Sequence, residues 1–335
     1  MAEPDDRPPP TAPDPTPPRR KAWLAWLKWG VALLVLGCVA WAVAGQLREA
    51  DFSRARLRPL PIVAATVALV AMYFSLATSE RLLLAAFTGR WLPWRDVLPA
   101  AWVPMAGKFV PGKVAAATGA IVLLKRLGVP AATALGVFVL LDAMPVLTGT
   151  ILGSTLLTDP AVRDRFAGAP LVFGLVLVGG LIALSPPVFR GMTGLALRLM
   201  RRPPLPRVPR WRDYVGPLGC SLWQWATNGL AVWLALRAVS PAGPTVAALP
   251  HVTAITALVM CLSYFGAFLT PSGLGVREGV FIPLLMTLDN IDLPAATAAA
   301  ILMRLLHTGV ELGLCGLGLW MLRLRARRIL ETPPT

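Results

Sequence analysis

Charge is what this chain is short of. Only 15% of its 335 residues are Asp, Glu, Lys or Arg, where soluble globular domains carry about a quarter. With 56% hydrophobic residues and a mean hydropathy of +0.65, an ordinary soluble domain is excluded. Acid is scarcer than base, 17 residues against 32, for a formal net charge of +15. Such an excess suits nucleic acid, but the basic residues lie mostly in loops between apolar runs. That is the positive-inside pattern of a membrane protein, and no nucleic-acid partner is expected. Histidine occurs twice, as His251 and His307, and the four cysteines, Cys38, Cys220, Cys261 and Cys315, sit far apart in apolar runs. No metal-ligand spacing exists, so no metal site or other cofactor is expected, and the cysteines read as small core residues. No Ser-His-acid set or paired-carboxylate motif stands out, so no catalytic residue is assigned.

What is present is a series of apolar runs. Those at 24–46, 61–80, 130–156, 169–188, 215–238, 246–270 and 294–322 are each long enough to cross a bilayer, which takes about 20 residues. The stretch 276–288 is too short, about 20 Å as a helix against a hydrocarbon core of about 30 Å. The stretch 97–124 is apolar but interrupted by Lys108, Pro111, Gly112 and Lys113, and reads as a broken or re-entrant hairpin. The expected fold is an all-α membrane bundle of about eight spans, with broken or re-entrant segments near 97–124 and 271–288. Residues 1–22 read as a disordered, proline-rich cytoplasmic tail, 23–325 as the transmembrane domain, and 326–335 as a second cytoplasmic tail. The first run lacks a convincing cleavage site and reads as a retained span.

Orientation follows from arginine and lysine. Arg19, Arg20 and Lys21 begin the chain on the cytoplasmic side, and Arg81, Arg90, Arg95, Lys125 and Arg126 flank the 97–124 segment. The longest loop carries Arg190, Arg198, Arg201, Arg202, Arg207, Arg210 and Arg212, and the last run is followed by Arg323, Arg325, Arg327 and Arg328. All fall on one side if 97–124 enters and leaves from the cytoplasm and 276–288 crosses. The expectation is a multi-pass protein of the bacterial inner membrane with both termini cytoplasmic. The loop with Arg48, Arg54, Arg56 and Arg58 is the exception. Residues 189–202 mix bulky apolar and basic positions, and two readings stand: a segment lying against anionic headgroups, or a solvated topology-setting loop.

The two interruptions carry the functional reading. Gly107 to Lys113 fits the phosphate-loop letters G-x-x-x-x-G-K, but Val114 stands where a hydroxyl must hold magnesium, and no strand precedes it. A basic turn at the membrane face is the better reading: Pro111 frees a carbonyl, Gly112 permits the turn, and Lys108 and Lys113 hold an anion. The second interruption, Pro271 to Glu278, contains Gly273-x-Gly275, too short for a dinucleotide fingerprint. It reads as the start of a half-helix near Val276, whose exposed amides, with Ser272 and Arg277, suit an anion while Glu278 favours the helix start. A plain interfacial turn is the alternative. The candidate substrate-binding set is thus Lys108, Pro111, Gly112, Lys113, Ser272, Gly273, Gly275, Arg277 and Glu278.

Arg304, His307, Thr308 and Glu311 share one face of the last run, with Arg304 near mid-depth. A charge there costs about 2.5–3.5 kcal/mol even on the lenient insertion scale, so this face is expected to point inward. Asp142 and Glu278 are the candidate partners of Arg304, and Asp142, Arg304, His307 and Glu311 form the expected interior polar set. A purely structural ion pair would use the same residues. Gln224 and Asn228, four apart, suit interhelical hydrogen bonding.

Phe109 to Lys113, then Lys125-Arg126-Leu127-Gly128-Val129, then Pro271 to Glu278 occur in that order. In this combination the chain resembles the lysylphosphatidylglycerol synthase transmembrane region, a flippase-like integral membrane family, over roughly residues 25–325. In two-part members of that family a multi-span region moves aminoacylated phosphatidylglycerol between leaflets, and a soluble domain makes it from aminoacyl-tRNA. The thirteen residues after 322 leave no room for that transferase here, so the resemblance implies only the membrane half. Some stand-alone relatives are linked to glycolipid or polyprenyl-lipid pathways. The resulting expectation is a translocase for an anionic or modified phospholipid or a lipid-linked intermediate. Its partners would be lipids with anionic headgroups, with room for self-association or a lipid-synthesis enzyme. The alternative is a membrane enzyme, or an accessory subunit, in glycolipid or polyprenyl-lipid synthesis.

Overall fold

The computed structural model describes residues 57–109, 114–158, 168–199, 205, 207–240, 243–266 and 276–331. Among them every regular element is helical. The run 24–46 and the N-terminal tail lie outside the described residues, as do the side chains of 326–335.

Helix α1, Pro59–Thr88, begins on two prolines that suit a first turn and ends at Gly89, whose φ of 70° lets its N–H cap back to the Ala85 carbonyl. Helix α2 is Trp94–Trp102, followed by a 3-10 segment, Val103–Phe109, and α3, Val114–Arg126. Helix α4, Ala131–Ser154, carries Pro145 inside it. Helices α5, Ala169–Leu184, and α6, Pro186–Leu199, come next, then α7, Trp211–Val239, and α8, Leu249–Gly266. The ten-residue α9, Val276–Leu285, precedes the 39-residue α10, Leu293–Glu331. Four helical stretches are long and apolar enough to cross a bilayer: Pro59–Thr88, Ala131–Thr158, Val246–Tyr264 and Leu293–Arg325. A fifth candidate is a pair of helices, Phe173–Leu184 and Pro186–Leu199, bent by 79°. The chain is an all-α polytopic membrane protein.

Helices α1 and α7 lie antiparallel along much of their length. The Arg58 amide donates to the Ala238 carbonyl at 3.0 Å near one end, and the Ser75 hydroxyl to the Cys220 carbonyl at 2.9 Å further along. Small residues of both helices, Ala65, Ala68 and Ala77 of α1 and Ala231, Ala235 and Ala238 of α7, are buried in one shared core cluster. Small residues let helix backbones approach where lipid offers no hydrophobic drive between helices. At Gly229 an added Cβ would sit 2.2 Å from Thr253 Oγ1, so α7 and α8 meet almost backbone to side chain. The outward stripe of α1, Leu60, Val63, Val67, Val70 and Phe74, is exposed and wholly apolar. Such a stripe suits hydrocarbon.

The 97–124 segment folds as a hairpin. An added Cβ at Gly107 would lie 2.4 Å from the Ala116 amide nitrogen, and one at Gly119 would meet Pro104 at 3.6 Å. The two arms therefore run antiparallel, and residues 110–113 lie outside the described residues. Because the obstacle at Gly107 is backbone, Gly107→Ala is expected to lower the melting temperature in detergent. An alanine at Gly219, where nothing lies within 4 Å, should not.

Helix boundaries differ from the sequence reading in two places. The run expected to end at Glu80 continues to Thr88, because Arg81 is accommodated without leaving the helix. Its Nε donates to the Leu92 carbonyl at 2.8 Å, and its guanidinium stacks 4.6 Å from the Trp94 ring centre and 5.1 Å from that of Trp91. The run expected at 169–188 breaks at Ser185, before Pro186 and Pro187, and 186–199 forms its own helix. In α6, Phe189 and Leu197 are buried while Met192, Leu195 and Leu199 are exposed beside exposed Arg190 and Arg198. That mixture is the composition of a helix lying along a headgroup layer.

Candidate functional site

Between the helices lies a cavity of about 300 Å³, lined by every helix except α5 and α6. Its two kinds of wall come from different elements. The hairpin supplies an apolar, small-residue wall, including Ala100, Ala101, Pro104, Ala116 and Ala120. The polar groups come from elsewhere: Tyr73 and Glu80 from α1, Asp142 from α4, Gln224 and Asn228 from α7, Ser263 and Tyr264 from α8, Arg277 from α9, and His307 and Glu311 from α10. An apolar wall facing polar groups of both signs is suited to an amphiphile.

The polar groups are chained. The Tyr73 hydroxyl donates to Glu311 Oε1 and lies 3.1 Å from His307 Nδ1. His307 Nε2 in turn lies 3.2 Å from Asn228 Oδ1. All four residues are buried, from 4% to 6% exposed. The chain forms because Glu311 follows His307 by one helical turn, on the face of α10 that α1 and α7 cover. A second pair, the Tyr264 hydroxyl and the Asp142 carboxyl, is hydrogen-bonded across α8 and α4. Arg277 reaches in from α9, its guanidinium 5.9 Å from the Phe281 ring centre and close enough to Tyr73 to act on it electrostatically.

Pro145 shapes one side of the cavity. Having no N–H, it leaves the Leu141 carbonyl without its helical donor, one residue before Asp142. The indole N–H of Trp225 is shared between the Pro145 carbonyl, at 3.1 Å, and Thr148 Oγ1, at 3.0 Å, and Thr148 meets Ser221 Oγ at 2.6 Å. The indole lies against Gly149, where a Cβ would come within 2.6 Å of Cζ2. Gly149 thus lets a tryptophan of α7 seat against α4 and present itself to the cavity.

The sequence-derived candidates divide as follows. Arg277, Asp142, His307 and Glu311 all line this cavity. Arg304 is buried, at 8% exposed, but from α10 it is His307 and Glu311 that line the cavity. Glu278 lies on α9 and Lys108 on the 3-10 segment, and the side chains of both are outside the described residues. Pro111, Gly112, Lys113, Ser272, Gly273 and Gly275 are also outside them. Gln224 and Asn228, expected as interhelical bonding groups, both line the cavity, and Asn228 makes such a bond to His307.

Tyr73, Glu80, Trp225, Ser263 and Tyr264 were not among the sequence-derived candidates. A signal for two of them was present. The chain has only three tyrosines, and Tyr73 and Tyr264 fall well inside apolar runs instead of at their ends. Tyrosine favours the interface, so one placed at depth needs an interior partner for its hydroxyl. Glu80 closes the apolar run 61–80, although it follows Tyr73 by two turns on one face.

A family model described as the lysylphosphatidylglycerol synthase TM region matches residues 19–315. Comparison with curated proteins gives no significant match.

Proposed function

Since the chain belongs to the lysylphosphatidylglycerol synthase transmembrane-region family, a family of membrane proteins in lipid metabolism or translocation, we propose that it is a lipid translocase. The observation that carries this reading is the cavity, walled by alanines on the hairpin and by charged and hydroxyl groups elsewhere. The small apolar wall accommodates glycerol and the first acyl carbons, and the polar groups accommodate the headgroup. Of the described lining residues, three are carboxylic acids, Glu80, Asp142 and Glu311, against the one guanidinium of Arg277. A guest that is anionic throughout is poorly matched to that set. A phosphate meeting Arg277, joined to a cationic or hydroxyl-bearing group meeting Asp142 and Glu80, fits better.

Lipidomics of a strain lacking the chain, with leaflet-selective labelling of each lipid that changes, tests the proposal. A lipid whose amount is unchanged but whose leaflet distribution shifts supports translocation. Loss of a lipid species, with its precursor accumulating, supports instead an accessory role in its synthesis.

The orientation we propose has both termini and the 189–213 loop in the cytoplasm of a bacterium and 289–293 outside, from the arginine distribution. A single cysteine at position 205, in a background without the native four, should resist an impermeant thiol reagent in intact cells. Labelling of that cysteine from outside would reverse the assignment.

A further inference from the structure

Counting the protons in the buried chain Asn228–His307–Tyr73–Glu311 leads beyond lipid binding. Tyr73 has one hydroxyl proton and two neighbours, Glu311 Oε1 and His307 Nδ1. If it donates to Glu311, its oxygen must accept from Nδ1, which then carries a hydrogen. The other ring nitrogen, Nε2, faces the Asn228 amide oxygen, an acceptor, so it carries a hydrogen too. The imidazole is then an imidazolium, balanced through Tyr73 by the Glu311 carboxylate. In the alternative arrangement Glu311 is protonated and donates to Tyr73, Tyr73 donates to Nδ1, and a neutral ring donates from Nε2 to Asn228. Both arrangements hold the same number of protons. They interconvert by passing one proton from Glu311 to Tyr73 while another passes from Tyr73 to Nδ1, with no atom moving far.

Removing one proton changes the geometry. Nε2 becomes an acceptor and requires a donor opposite it. Asn228 supplies one if its amide turns over to present the NH2 group in place of the oxygen. The chain thus has two complete hydrogen-bond patterns one proton apart, and the amide orientation reports which is occupied. His307 and Glu311 line the cavity themselves, so the proton count sets the charge that a guest meets. Chains of carboxylate and imidazole at membrane depth commonly serve as proton relays.

We propose that Asn228, His307, Tyr73 and Glu311 form a proton-binding relay, loaded and unloaded once per transport cycle, that ties lipid movement to a proton gradient. On loading, a proton from cavity water forms a bond to Nε2. On unloading the bond breaks and the proton returns to water. The coupling rests on the translocase reading, whereas the proton-binding step does not. Among the described residues, the other ionisable groups around the relay are Glu80 on α1, Asp142 on α4, Tyr264 on α8, Arg277 on α9 and Arg304 on α10. No titratable group of α7 lines the cavity, and Asn228 is its contribution.

The chain's two histidines make a direct test practicable. In a His251→Gln background, with 15N-labelled histidine and the full chain in nanodiscs, the only imidazole signals come from His307. Across a pH titration Nε2 should pass from the shift of a protonated nitrogen to that of an unprotonated one, with Nδ1 protonated at the high-pH end. Glu311→Gln should move that transition to lower pH, and Tyr73→Phe should remove its dependence on residue 311. A ring that keeps one protonation state and tautomer at every pH where the protein is folded overturns the relay. The second measurement is movement of fluorescent phosphatidylglycerol in proteoliposomes, with and without an imposed pH gradient. The gradient should change the rate in the wild type, and His307→Gln should hold it at the gradient-free level. Titration of His307 with lipid movement indifferent to the gradient overturns the coupling. Wild-type protein that moves no lipid under any condition overturns the translocase reading and the coupling with it, leaving the imidazole signals to decide the relay alone.

Discussion

Replacing Arg277 by glutamine is expected to slow lipid movement roughly ten- to a hundred-fold. Arg277 is the one guanidinium among the described residues lining the cavity, where three carboxylic acids also lie. A charge-assisted hydrogen bond to a phosphate contributes about 1.5–3 kcal/mol, and 1.4 kcal/mol is a factor of ten. Arg277→Lys keeps the charge but gives up the planar two-pronged donor, so it should fall between wild type and glutamine. Arg277→Glu, adding a fourth acid, should give the slowest rate of the three. Melting curves of the purified variants separate loss of binding from loss of fold. A glutamine variant as active as wild type would mean that the headgroup is held elsewhere.

The largest effect on stability is expected at Trp225. Its side chain is buried, at 5% exposed, and its N–H is the donor that α7 sends to α4 beside Pro145. Trp225→Ala removes the ring and leaves a void, typically about 3–5 kcal/mol in a packed core. It also takes a donor from the Pro145 carbonyl and from Thr148 Oγ1. Trp225→Phe keeps most of the ring and loses chiefly the shared hydrogen bond, about 0.5–1.5 kcal/mol. Unfolding in detergent should therefore rank wild type, phenylalanine and alanine in that order. Equal losses for the two variants would show that the hydrogen bond, and not the packing, holds α7 to α4 here.

Much of the architecture was legible because the bilayer leaves few options. A long apolar run has to be a helix there, and so 61–80, 130–156, 246–270 and 294–322 all correspond to described helices. The hairpin was legible too, since Lys108, Pro111, Gly112 and Lys113 interrupt a run that would otherwise cross, and the approach of Gly107 to Ala116 closes it. What failed was the rule that a charge ends a span. Arg81 sits inside α1 because an indole pair and a carbonyl from the following loop receive its guanidinium, and those partners cannot be seen in a hydropathy pattern.

The site was legible where charge sits at depth on a predicted face. His307 and Glu311 were found this way, one turn apart on α10, and Asp142 because it stands in mid-run. Glu80 and the two tyrosines were not, because their meaning lies in partners that the fold brings from far along the chain. Tyr73 and Glu311 are 238 residues apart and joined by a hydrogen bond. Glu80 follows Tyr73 by seven residues, two helical turns, yet a span boundary drawn at Glu80 hid that they line one cavity.

By itself, this chain should carry lipid across a bilayer. The most direct test is the purified protein in liposomes containing trace fluorescent phosphatidylglycerol, with an impermeant reductant added outside. Protein-free vesicles lose only the label of the outer leaflet. Vesicles with wild-type protein should lose the inner label as well, and those with Arg277→Glu should behave almost as protein-free ones. Inner label that survives in the wild-type vesicles, with fluorescent phosphatidylethanolamine behaving the same way, would mean that the chain does not move lipid.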